Sequence, residues 1–532
     1  MTQGVNQLTR AFNEGRLNRR QLLLRLLALG LSVPASLAVL EACAGGNSVA
    51  GGASATSKKP KLILGFTQEP TSLDPTLDAT ASISTILRDN VYEGVVRLDP
   101  GGKVIPGLAT KWDTSADGKT ITFHLAQGVK WHDGSPFSSA DVKFSWDRAA
   151  GLSTEAAAKP NPHKDYWAPV ASIDAPDANT VKVNLKSYSY NWLFHMTAGS
   201  ACIFSSKTQP TNAVQPVGTG PFKFVGWNKG SALTLTRNDG YWGAKAKLKD
   251  LEYRFITDAN GMNNALKAGD IDVIAQVSGP EQVASFKADG GYRVLEADPV
   301  GKVMVSLNNA KGPLANPKVR RAIAMAIDHK AWIDALYAGY AVPIGSHSAP
   351  NAGEPYYVDE TGVNPHDPAK ARALLAEAGV SNLTLRLSVI TDFAYAVRGG
   401  DILTSALKDI GVTVKTESTQ FAGWLKNTFL AGDYDMTIVN HVEERDIANW
   451  GNPKYYWHYD NPQVQQLLVQ ADGEVDDGKR MGLYSKILKQ LADDAAGAWV
   501  CSPKALFVAK KQVESFPASA IAPLFMGNVY FS

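Results

Sequence analysis

The chain has 532 residues, of which 45% are hydrophobic and 20% charged, and a nominal net charge of +2. That length exceeds what one hydrophobic core supports, so two or three lobes are expected. Residues 1–42 hold five arginines and two glutamates, which leaves the remainder at −1 and excludes a basic, nucleic-acid-binding face.

The N-terminus reads as an export signal. Arg19-Arg20 precede an apolar run from Leu26 to Leu40, broken by Pro34 and closed by Glu41-Ala42-Cys43. The run is about 15 residues, short of the ~20 that span a membrane. Cys43, followed by Gly/Ser/Ala-rich sequence, resembles a bacterial lipoprotein processing site. Residues 1–42 are then a signal peptide, Cys43 the lipidation site and 43–60 a flexible linker. A plain signal with an unmodified Cys43 is the rival reading, and the paired arginines suggest the twin-arginine route. Cys202 and Cys501 fall in no metal-like spacing and are taken as two buried thiols, with one disulfide as the alternative.

Lys61–Thr67 reads as a strand, followed by a polar, proline-punctuated loop, 68–75. Thr120–Leu125 and Thr180–Leu185 alternate with a period of two, and a helix opens at Ser139 and runs to about Ala150. Val217-Gly218-Thr219-Gly220-Pro221-Phe222 is a tight turn leading to strands at Ala232–Arg237 and Leu251–Ile256. Asn316-Pro317 starts a helix whose apolar face continues to Leu336 and ends at Gly339, and Asp367-Pro368 to Gly379 repeats that grammar. Leu383–Ile390, Asp401–Ile410, Val412–Glu417, Phe421–Leu430 and Tyr434–Asn440 then alternate strand and helix. Such a β-α-β-α-β unit implies a parallel sheet, and ligands of parallel sheets bind beyond the strands' carboxyl ends. Those ends are Thr391–Phe393, Ser418–Gln420 and the loop His441–Trp450.

Several blocks together resemble the peptide/nickel (family 5) solute-binding proteins of ABC importers. They are Glu69-Pro70 through Asp74-Pro75, Leu87–Val96, Ile105–Trp112, Gly128-Val-Lys-Trp-His-Asp-Gly134, Gly218–Phe222, Gly240-Tyr-Trp-Gly243 and Val319–Ile323, in family order over residues 61–532. The resemblance implies an α/β, bilobed periplasmic-binding-protein-like (type II) clamshell with an additional strand-rich domain. By analogy lobe I comprises 61–92, 209–285 and 505–532, the extra domain 93–208, and lobe III 286–504. It also implies a monomeric receptor that captures short peptides by closing its lobes, then delivers them to a permease and its ATPase. No cofactor is implied. The Trp112 and Trp131-His132-Asp133 blocks are taken to hold the fold.

In the family's peptide binders a loop carboxylate pairs with the ligand ammonium, which desolvation would otherwise penalise. The matching loop here offers Glu443, Asp446 and Glu444, preferred in that order, with a solvated loop paired to Arg445 as the bland alternative. The family pattern resembles Trp-x-x-Asp, and His441 stands near the tryptophan position. His441, Trp450, Tyr395, Trp424 and Glu69 complete the candidate ligand-binding set, with Arg398 a lesser candidate for a ligand carboxylate. Backbone hydrogen bonds to strand edges would accommodate varied side chains. The chain lacks G-x-S-x-G, H-E-x-x-H and P-loop motifs, so an enzyme is not expected. No metal ligands are assigned; a binder of a metal complex, such as a nickel chelate or haem, is the alternative function.

Overall fold

A computed structural model describes residues 57–76, 81–153, 161, 163–351 and 353–532. The signal, Cys43 and most of the linker lie outside the described residues. Three separate hydrophobic cores underlie three bodies, each built on its own sheet.

The first body is a seven-stranded sheet in the order Tyr292–Ala297, Ala505–Lys510, Val273–Ile274, Lys61–Phe66, Asp250–Phe255, Ala232–Arg237, Phe222–Asn228. Strand Tyr292–Ala297, placed in lobe III by the sequence reading, belongs here because it pairs along its whole length with Ala505–Lys510. The second is a four-stranded antiparallel sheet, Ala109–Thr114, Thr120–Leu125, Thr180–Leu185, Val170–Asp177. Period-two burial drives it: Val181, Val183 and Leu185 turn inward against Trp146 on the helix Ser139–Ala150.

The third body is a six-stranded sheet, Ala341–Pro343, Gly497–Pro503, Lys302–Leu307, Met436–His441, Thr384–Ile390, Thr413–Thr419. Its last three strands are parallel, as the alternation requires. The helix between the first two runs from Ala394 to Asp409, longer than expected, and Phe421–Leu430 is one α-turn followed by a π-helix. The segment from Asn316 is two helices, Pro317–Ala326 and His329–Tyr337. Ile327 leaves helical geometry, and the Asp328 carboxylate caps the second helix by accepting from Ala331 N–H.

The chain passes between the seven- and six-stranded sheets at 298–301 and again at 504, so two short segments join them. The tight turn at 217–222 lies against the backbone of Asn90 and Val91. A Cβ on Gly218 would sit 1.8 Å from the Val91 carbonyl oxygen, which only glycine avoids. His132 clamps the same turn, accepting from Gly218 N–H and bonding the Gly220 carbonyl, and Trp131 is buried beside it. Burial drives the His132 imidazole down to about 4, so it serves as a neutral brace. Cys202 and Cys501 are both buried and unpaired, in different cores, which excludes the disulfide alternative. Among the described residues no helix is long and apolar enough to cross a membrane.

Candidate functional site

The loop that leaves strand Met436–His441 sits at the carboxyl end of the parallel strands. Its conformation is set from below by buried charge. Lys302, at the start of a wholly buried strand, points its ammonium at three acceptors. These are Glu354 Oε1 at 2.8 Å, the Glu443 carbonyl at 2.9 Å and Asp446 Oδ1 at 3.0 Å. Glu354 Oε1 also accepts from Arg445 N–H, and Oε2 from Ala349 N–H. These bonds hold Arg445 at φ 60°, a left-handed conformation that a non-glycine residue keeps only under such constraint.

Asp446 is part of this framework. His347 Nε2 lies 2.9 Å from its Oδ1, and His441 Nδ1 lies 3.2 Å from its Oδ2. Trp499 Nε1–H donates to His347 Nδ1, so His347 carries its proton on Nε2 and donates it to Asp446. Burial alone would raise the Asp446 carboxyl, but His347 and Lys302 outweigh it and hold the group well below the usual carboxylate range. Burial lowers His347, leaving Lys302 as the charged partner. His441 continues the network to Tyr456 OH at 2.8 Å.

His347, His441 and Asp446 each offer one ligand atom, all within 4.8 Å of one another. A cation there would share Asp446 Oδ1 with the Lys302 ammonium, which already fills that role. The donor set therefore fits an internal charge network better than a metal centre.

The expected site residues divide accordingly. Asp446 and His441 are committed internally. Trp450 is fully buried and stacks on Trp457 at 3.9 Å, and Trp424 is buried with its Nε1–H donated to Thr437. Both are core rather than cleft wall. The Glu69 carboxylate accepts from Trp227 Nε1–H and Gly230 N–H, tying the first loop to a hairpin. Arg398 donates to the Ala335 carbonyl on a neighbouring helix, away from the loop. Tyr395 is half-buried; its hydroxyl accepts from Asn440 N–H, and its ring stacks on Phe393. Phe393 in turn packs edge-on against Phe421, and these two rings are 37% and 45% exposed beside the strand ends.

Glu443 and Glu444 remain. The Glu443 side chain is exposed. Glu444 is half-buried, and among the described residues its carboxylate has no side-chain partner, accepting only from its own backbone N–H. Burial pushes the group up to about 7, against the pull of Lys302 and of Arg88 from the seven-stranded lobe. The four-stranded domain closes over the same point. Tyr166 stacks between His163 and His195, with ring centres 4.9 and 3.9 Å away, and its hydroxyl is raised by burial and by the loop carboxylates. Arg445 crosses to this domain, bonding Asn191 Oδ1 with its guanidinium 3.9 Å from the Phe194 ring. The six-stranded body and the four-stranded domain thus meet beside Glu444.

Sequence reasoning missed Lys302, His347 and Glu354, whose partners are far away along the chain. Glu444 had one legible signal: with His441 at the tryptophan position of Trp-x-x-Asp, the acid falls three residues on, at 444.

The profile of bacterial extracellular solute-binding proteins, family 5 (middle region), matches residues 103–467. The chain belongs to this family. It is 29% identical to the glutathione-binding protein GsiB of Pectobacterium atrosepticum, covering 84% of this chain and 89% of that one. It is 26% identical to the dipeptide-binding protein of Escherichia coli, covering 86% and 92%. Among solved structures it resembles the periplasmic binding protein DppA of Helicobacter pylori in complex with the peptide STSA. That match has a TM-score of 0.76 and 25% identity, over 88% of this chain and 98% of the other. As a family 5 protein the chain is an ABC-importer solute-binding protein with the bilobed type II fold, not an enzyme, and members of the family work outside the cytoplasm.

Proposed function

We propose that this family 5 chain captures short peptides between its lobes and hands them to the permease and ATPase of an importer. Glu444 is the carboxylate that meets the peptide ammonium. One observation carries this reading: among the described residues, a half-buried carboxylate without a side-chain partner stands at the carboxyl end of a parallel sheet, next to the arginine that bonds the four-stranded domain. An incoming ammonium would supply the missing charge and draw the acid into its ionised form. Phe393 and Phe421 offer an apolar wall for side chains, and Tyr395 supports them. The two connecting segments act as the hinge of closure. Names of relatives that bind glutathione, dipeptides and STSA support the same ligand class.

A metal complex is the alternative ligand; the one His/Asp cluster among the described residues does not favour it, because Lys302 already stands at Asp446 Oδ1. The lipid anchor at Cys43, export by the twin-arginine route and a monomeric state belong to the proposal and rest on sequence. The test is a binding comparison on the full chain between dipeptides with free and with acetylated amino termini. Free dipeptides should bind and acetylated ones should not; equal binding would remove Glu444 from the ammonium role.

A further inference from the structure

The six-stranded sheet ends in the edge strand Thr413–Thr419, which pairs only with Thr384–Ile390. Thr413 N–H donates to the Leu383 carbonyl, and the Thr419 carbonyl accepts from Thr391 N–H. These two bonds fix the parity of the ladder. Thr413, Lys415, Glu417 and Thr419 turn their backbone groups into the sheet, so Val414, Thr416 and Ser418 present N–H and C=O to the open side. Among the described residues no strand covers that side, and Lys415, Thr416, Glu417 and Ser418 are all exposed.

An open edge is a template for another strand, and proteins commonly block it with charge. Here the charges block some pairings and favour one. A second copy laid antiparallel must match outward residues with outward residues. Centred on Thr416, Thr413 faces Thr419, Val414 faces Ser418, Thr416 faces itself, and Lys415 faces Glu417 twice over. Centred on Lys415 the two lysines oppose each other, and centred on Glu417 the two glutamates do. One register is thus attractive and its neighbours on both sides are repulsive. Lys415 makes no ion pair among the described residues, and Glu417 has one long contact, 3.7 Å to Arg386, so both are open to a partner.

We propose that Thr413–Thr419 is a self-recognition edge, through which two copies of the chain join their six-stranded sheets about a twofold axis at Thr416. Val414, Thr416 and Ser418 exchange about six backbone hydrogen bonds across the join. The Lys415–Glu417 pairs fall at non-hydrogen-bonded positions, where facing side chains approach most closely. A seven-residue edge is small beside the ~1,200 Å² of a stable interface. The dimer is therefore weak, and the monomer proposed above is the state of the dilute chain. The antiparallel join turns the two carboxylate loops toward opposite ends, and it does not depend on the peptide reading.

The test is sedimentation equilibrium of the full-length protein from about 5 to 500 µM at low salt. Wild type should pass from monomer toward dimer within that range. Lys415→Glu and Glu417→Lys should each weaken association by roughly tenfold or more, since like charges then face each other at both positions. An equimolar mixture of the two variants should associate again, because every facing pair is then opposite in charge.

A wild type that stays monomeric over the whole range would overturn the proposal. So would single variants that associate like wild type, which would place the contact elsewhere, or a mixture that associates no more tightly than its components.

Discussion

Lys302 and Asp446 form a buried ion pair, Nζ to Oδ1 3.0 Å, directly beneath the loop that carries Glu444. The strand of Lys302 pairs with Met436–His441, Lys302 opposite His441, so the ammonium enters the turn of the loop from within the sheet. The same ammonium takes the Glu443 carbonyl, which fixes the backbone on one side of Glu444 while Glu354 fixes Arg445 on the other.

Removing one member of such a pair leaves an uncompensated charge. Lys302→Met should cost about 3–5 kcal/mol in denaturant unfolding of the six-stranded lobe. The triple change Lys302→Met, Glu354→Gln, Asp446→Asn should recover part of it, because no buried charge is stranded. A single variant as stable as wild type would show that the pair does not hold the loop.

Glu444→Gln keeps the shape and removes the charge. Loss of one charge-assisted contact should weaken binding of a free dipeptide by about 2 kcal/mol, roughly thirtyfold, measured by calorimetry. Glu443→Gln and Asp446→Asn serve as comparisons. The first should bind nearly as wild type, and the second should lose stability before it loses ligand selectivity.

The pH dependence of binding follows from the same carboxyl. With the ligand-free acid near 7, an ammonium ligand must displace its proton at lower pH. Affinity should therefore rise with pH through the interval from about 5.5 to 7 and level off above, with protons released on binding. In Glu444→Gln this slope should vanish.

Ligand-free stability should run the other way. Glu93 accepts from Thr219, Tyr241 and Trp242, yet burial still pushes its carboxyl up to about 7, as it does for Glu444. Both folded-state values lie above the ordinary 4.5, so the folded chain binds more protons than the unfolded one in between. These two groups should contribute a fall in stability as pH rises from about 5 to 8, opposed below about 6.5 by buried histidines such as His132, whose folded value of about 4 gives the unfolded chain the extra proton; Glu93→Gln should remove its share of that fall.

Much of the fold was legible because local physics and burial agree. Thr180–Leu185 has inward Val181, Val183 and Leu185, and the strand occupies the expected residues. Asp367-Pro368 gives a capped helix because the aspartate accepts from Lys370 N–H and the proline needs no partner at the first turn. The parallel unit was readable from alternation alone. What was hidden is long-range. Lys302 heads a strand, where a lysine reads as a solvent-facing end, but its partner Glu354 is 52 residues away. Trp450 and Trp424 look like cleft aromatics in sequence, and only packing shows them buried. Asp446 finds His347 and Lys302 as direct partners in space, whereas Glu444 has no such side-chain partner among the described residues, which moves the proposed ammonium partner from Glu443 to Glu444.

Cys202 and Cys501 lie in separate cores, and burial pushes the Cys202 thiol up to about 12. Neither should react with a thiol reagent until the chain unfolds, and a reductant should leave the melting temperature unchanged. Early labelling of Cys501 would mean that the six-stranded lobe opens locally.

The most direct measurement is mass spectrometry of small molecules released on denaturing the purified full-length protein, wild type beside Glu444→Gln. We expect peptides of about two to six residues from wild type and a strong depletion of them from the variant. A metal chelate or haem in the wild-type sample, or the same peptides at equal yield from both proteins, would overturn the assignment of Glu444 as the peptide anchor.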